Sequence, residues 1–135
     1  MFSRGQVTSE YLLMSVVAIA LVSISLTALF RIKDDGEKNY GLLQFKDSVA
    51  TIYNAAEDAC ALGNGNSRRV TIESPLSIST DEASGYVVFV SESRRFGKEE
   101  RIVKDFTCKL SDGASADGNM IVSNKDGKIE VIKDG

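Results

Sequence analysis

The chain contains no His, no Trp, one Pro and two Cys. Without His it lacks the commonest general base and the commonest metal ligand. Two widely separated cysteines, Cys60 and Cys108, cannot build a zinc site of the usual four-ligand kind. No Asn-x-Ser/Thr sequon occurs, so N-glycosylation at that signal is not expected. Neither sign of charge dominates: the formal net charge is −3, and the 16 Lys and Arg are scattered among acidic neighbours, which gives no reason to expect nucleic acid as a partner. Gly-rich Leu62-Gly63-Asn64-Gly65-Asn66 has no following Lys-Ser/Thr and is not a phosphate loop. Ser111 to Asn119 is rich in oxygen ligands but lacks the spacing and terminal Glu of a calcium loop, and reads as a solvated loop. Arg94-Arg95-Phe96-Gly97-Lys98, followed at once by Glu99 and Glu100, reads as a turn. No metal, no cofactor and no catalysis are expected.

What the chain does have is a long apolar run. Tyr11 to Phe30, YLLMSVVAIALVSISLTALF, carries no formal charge. As a helix, twenty residues span about 30 Å, the thickness of a bilayer core. The run exceeds the roughly 7–15 apolar residues of a cleaved secretory signal. Its length and uniformity argue against the core helix of a water-soluble domain. Arg31 and Lys33 close it, while Arg4 precedes it, so basic residues do not settle its orientation. Ser15, Ala18, Ser23, Ser25, Thr27 and Ala28 permit close helix–helix approach.

One carboxylate, Glu10, stands at the edge of this run, just after a short basic leader ending in glycine. The stretch Arg4-Gly5-Gln6-Val7-Thr8-Ser9-Glu10-Tyr11 resembles the class III signal peptide of archaeal type IV pilins. In that family a prepilin peptidase cuts before the Gln and leaves the apolar helix on the mature protein. Thr8 stands where a Ser is common, a minor departure. The resemblance covers about Arg4 to Phe30. It implies a leader over residues 1–5, cleavage between Gly5 and Gln6, and assembly by an ATPase and membrane platform into a helical homopolymer. Leu12, Leu13, Val16, Val17, Ile19, Leu21, Ile24, Leu26, Leu29 and Phe30 would then form the filament core. Gln6, Glu10 and Tyr11 would be the assembly residues, with Glu10 pairing the new α-amine of a neighbouring Gln6. Alternatively, Glu10 lies at a membrane boundary and is favoured by the positive end of the helix. Filaments of this family often carry N-linked sugars, so the missing sequon is a second departure.

Beyond Lys33 a polar stretch, Asp34 to Lys38, reads as helix or linker. Leu42, Phe45, Val49, Ile52, Ala56 and Ala59 then recur at spacings of three and four, one face of an amphipathic helix. Lys46, Asp47, Asn54, Glu57 and Asp58 lie on the opposite face. One long helix is expected from about Val7 to Leu62, with a bend near Gly36 left open, and Gly63 is its natural stop. The period then changes to two. Residues 69–73, 76–79, 86–90, 101–106, 120–122 and 128–132 read as strands, with Pro75 dividing the first two and suiting a bulge or edge. Asn124-Lys125-Asp126-Gly127 is a hairpin signal. The expected fold class is α+β. A leader (1–5) precedes a long helix (6–62, apolar segment 11–30), which packs at its C-terminal half against a small antiparallel sheet head (63–135), the pilin plan. If the sheet packs on the helix, Cys60 and Cys108 can meet in a disulfide. The alternative is two unpaired cysteines buried as small apolar residues.

The functional expectation is a structural subunit of an archaeal type IV pilus-like surface filament, used for adhesion, membrane-inserted before assembly and extracellular afterwards. The rivals are a membrane-anchored minor pilin-like or binding domain that never forms the main polymer, and a subunit of a swimming filament.

Overall fold

The computed structural model describes residues 4–81, 85–91, 99–111 and 113–135. One helix, α1 (Arg4–Leu62), is followed by β1 (Ser67–Asp81), β2 (Tyr86–Ser91), β3 (Arg101–Asp105), β4 (Lys109–Leu110), β5 (Ala114–Lys125) and β6 (Lys128–Lys133). The fold is α+β. Two units divide the chain, Met1–Glu37 and Lys38–Gly135, and the division falls within α1, between its apolar and amphipathic stretches.

Among its described residues the first unit has no core of its own. From Thr8 to Glu37 every residue is helical and exposed, Asp34 to Glu37 included. The described helix begins at Arg4, three residues before the expected start. Lys33 and Glu37 form an exposed ion pair at 3.9 Å, spaced one turn apart. Such a pair adds only a few tenths of a kcal/mol.

In the second unit the amphipathic half of α1 packs on one face of a six-stranded sheet of order β3-β2-β1-β5-β6-β4. Phe45, Val49, Ile52, Ala56 and Ala59 are buried at the expected spacing, and Leu42 packs at the edge of the same cluster. They meet the inward residues of the strands, chiefly Ile72, Leu76, Ile78, Val87, Phe89, Met120, Val122 and Ile129. The small side chains Ala56 and Ala59 let the last turns of the helix lie close to the sheet. α1 stops where expected. Gly63 takes φ 85°, its N–H donates to the Cys60 carbonyl, and the Asn66 side chain caps the Leu62 and Gly63 carbonyls. The buried Asn124 amide takes the Ala59 carbonyl at 3.2 Å, so the helix end keeps few orphan acceptors.

The sheet departs from expectation in three places. Residues 69–73 and 76–79 are parts of one strand, β1. Pro75 sits at a register shift between Ile72 and Leu76, where the buried Ser74 N–H donates to Ser48 Oγ on the helix rather than to a strand. The helix thus satisfies the donor freed by the bulge, which is why the proline interrupts the ladder without ending the strand. The solvated loop expected over Ser111 to Asn119 is, from Ala114 onward, the first half of β5, paired with Thr71 to Ile78 of β1. A further strand, β4, adds to β6 in parallel, so the sheet is mostly rather than wholly antiparallel. The basic turn expected over Arg94 to Lys98 lies outside the described residues.

The β5–β6 hairpin follows the rule for two-residue turns. Lys125 pairs with Lys128, and Asp126 (φ 53°) and Gly127 (φ 79°) both take the left-handed conformation that such a turn requires. Gly127→Ala is expected to lower stability by about 1–2 kcal/mol, the cost of placing a Cβ in that conformation. Denaturant unfolding of the variant, read as a shift in midpoint at constant slope, checks this.

Candidate functional site

The apolar stretch of α1 presents large apolar side chains around its whole circumference. From Tyr11 to Phe30 they are exposed, between 47 % for Val17 and 71 % for Tyr11. Leu12, Leu13, Val16, Ile19, Leu21, Ile24, Leu26, Leu29 and Phe30 all fall in this range. The stretch has a mean hydropathy of 2.5 over its most apolar window, none of which is buried within the chain. By length and composition it can cross a membrane. Each Leu, Ile, Val or Phe left in water forgoes about 1.5–3 kcal/mol of burial, so the whole surface represents tens of kcal/mol.

The polar atoms inside this stretch are taken care of locally. Ser15 donates to the Tyr11 carbonyl at 2.7 Å, Ser23 to Ile19 at 2.8 Å, Ser25 to Leu21 at 2.9 Å and Thr27 to Ser23 at 2.8 Å. With the backbone bonded within the helix and each of these hydroxyls turned onto the carbonyl four residues back, the segment from Leu12 to Phe30 can enter an apolar medium without stranding a donor. Its surroundings can therefore be lipid or other helices of the same kind.

Charge is confined to the ends. Arg31 and Lys33 follow the run, and Glu10 is exposed at its start. Among the described residues no cation pairs with Glu10. Gly5 and Gln6 lie in the first turns of α1, so the backbone of Gln6 is one helical turn from Glu10.

A second constellation joins the far end of α1 to the connection between β3 and β4. Cys60 and Cys108 form a disulfide with Cα atoms 6.0 Å apart, so the alternative of two unpaired cysteines is excluded. Three helix residues along one side of α1 grip three consecutive residues of the connection. Tyr53 packs edge-on against Phe106, with ring centroids 4.9 Å apart. The Glu57 carboxylate accepts the Thr107 N–H at 3.1 Å and its hydroxyl at 2.9 Å. Cys60 completes the clasp. Lys104 adds a cation over the Tyr53 ring at 5.5 Å. The sequence reading placed Glu57 on the solvent face, whereas it is half-buried and bonded. The spacing Tyr53, Glu57, Cys60 is the signal for this clasp, since positions four and seven apart share a helix face.

Among the described residues no group of three or more His, Cys, Asp or Glu is placed to hold a metal ion. No family model, no curated protein and no solved structure matches the chain.

Proposed function

We propose that this chain is a structural subunit of an archaeal type IV pilus-like surface filament, polymerising through the apolar part of α1. One observation carries the reading: a twenty-residue apolar surface, uncovered by the rest of the chain and with its serine and threonine hydroxyls internally bonded, coincides with the Gly5-Gln6…Glu10-Tyr11 pattern at its start. Such a surface cannot persist in water. It needs lipid before assembly and a bundle of like helices afterwards. Identical subunits related by a rotation that does not close form an open helical polymer, and the exchange of lipid for neighbouring helices replaces one apolar surrounding with another. In this reading a prepilin peptidase removes residues 1–5, an assembly ATPase and its membrane platform drive polymerisation, and adhesion is exerted by the polymer rather than by catalysis.

The test is the intact mass of the subunit from sheared cell-surface filaments. The expected product begins at Gln6, with or without loss of ammonia from cyclisation of that Gln. Cyclisation would remove the amine proposed to pair with Glu10, so the same spectrum reports on both points. Retention of Met1 to Gly5 in assembled material counts against the reading. Presence of the chain in membranes and its absence from filaments would make it an anchored domain instead.

A further inference from the structure

Three lysines stand in one row across adjacent strands of the sheet. Lys125 faces Lys128 in the antiparallel β5–β6 register, and Lys128 faces Lys109 in the parallel β4–β6 register. All three are exposed, while their chain neighbours Asn124, Ile129 and Leu110 are buried, so the three side chains leave the sheet on the face opposite the core. Like charges directly opposed across strands destabilise a sheet. Here no ion pair offsets them: among the described residues the pairs of the sheet unit belong to Arg68, Arg69 and Arg101. A lysine on the edge strand β4 is explained as protection against strand addition. That does not explain Lys125 and Lys128, because β5 and β6 are interior strands.

Lys109 and Lys128 also line a cleft of about 440 Å³, within the size range of small-ligand sites. Its walls include Thr80, Asp81, Tyr86 and Ser111. Tyr86 is 44 % exposed and offers an aromatic face. The Ser111 hydroxyl and the Tyr86 ring suit a polyhydroxylated ring, and the two lysines suit a carboxylate on it. Lys125 continues the row outside the cleft by one strand spacing, about 4.8 Å, comparable to the advance of one sugar unit along a chain. We propose that this cleft and lysine row bind an anionic saccharide, a chain of carboxylated sugars. A flat anionic membrane would engage the lysines but would have no use for the cleft or for Tyr86. The assignment concerns the sheet unit and does not depend on whether α1 polymerises.

The test uses the full chain in a polyoxyethylene detergent, which has no sugar headgroup, with calorimetric titration at low ionic strength. The probes are oligogalacturonate, its neutral methyl ester, and vesicles of phosphatidylserine in phosphatidylcholine. Oligogalacturonate is expected to bind, and the ester to bind about tenfold more weakly, the loss of one charge-assisted contact. Lys109→Gln with Lys128→Gln should weaken oligogalacturonate binding by at least about tenfold, whereas Lys46→Gln with Lys133→Gln, an equal change of charge elsewhere, should alter it by less than about twofold. Tyr86→Ala should weaken binding without changing the unfolding midpoint by more than a few degrees, as suits an exposed side chain. Absence of oligogalacturonate binding, equal loss in the two double variants, or indifference to Tyr86→Ala overturns the proposal. Vesicle binding with the same lysine dependence but no saccharide binding would reassign the row to a membrane surface.

Discussion

If the chain is the filament subunit proposed above, Glu10→Gln is expected to deplete it from filaments while leaving it processed, membrane-inserted and folded in its sheet unit. The carboxylate lies at the boundary of an apolar surface and, among the described residues, has no cationic partner. Under the proposed processing, which removes residues 1–5, the nearest cation would be the α-amine of Gln6, either its own or that of an adjoining subunit. In an apolar filament core an amine left without its carboxylate is a buried unpaired charge, and breaking such a pair costs about 3–5 kcal/mol. At roughly 3 kcal/mol per added subunit, each addition weakens by about a hundredfold, enough to stop growth. The measurement compares wild type and variant for processed protein in membranes and in sheared filaments. The Cys60–Cys108 bond, assayed by thiol alkylation, serves as the folding control. Normal filament yield from the variant would make Glu10 a boundary residue, held by the positive end of α1 and by nothing else.

The second large effect concerns the clasp at the other end of the helix. Replacing both Cys60 and Cys108 by Ala removes a bond that closes a loop with a sequence separation of 48. On the chain-entropy account a loop of that length contributes about 4 kcal/mol. A domain of this size has only about 5–15 kcal/mol of net stability. The expected fall in unfolding temperature of the sheet unit is therefore roughly 20 °C. Tyr53–Phe106 and the Glu57–Thr107 hydrogen bonds still hold the connection, so the variant should remain folded at low temperature, with native circular dichroism. A shift of only a few degrees would show that the clasp holds the connection without the covalent bond. The apolar segment 11–30 lies outside the closed loop, so membrane insertion of the double variant should be unchanged.

The elements differ in how plainly their residues announced them, and the differences have causes. The apolar segment was legible because its environment is apolar on all sides, so no periodicity had to be disentangled from it. The amphipathic half of α1 was legible because Phe45, Val49, Ile52, Ala56 and Ala59 face one neighbour only. The Asp126–Gly127 turn was legible because its conformation admits few residue types. Residues 114–119 were not, since Ala-Ser-Ala-Asp-Gly-Asn has no large apolar side chain. Its strand conformation comes from pairing with β1, and Ala116 is buried in the core, paired across the strands with Leu76. Pro75 looked like a divider because a missing N–H usually ends a ladder, and only the Ser48 hydroxyl on the helix explains why β1 continues.

The amino-acid sequence by itself determined the segment that is apolar enough to leave water, the carboxylate at its edge, the place where helix gives way to sheet, and the lack of any histidine. Those properties depend on composition and on neighbours within a few positions along the chain. The tertiary structure alone decided that Cys60 meets Cys108, that Glu57 holds Thr107 rather than water, and that Lys125, Lys128 and Lys109 share one row beside a cleft. Each of these joins residues whose proximity is set by strand register and by the packing of α1 on the sheet, and neither is encoded in any short stretch of the chain.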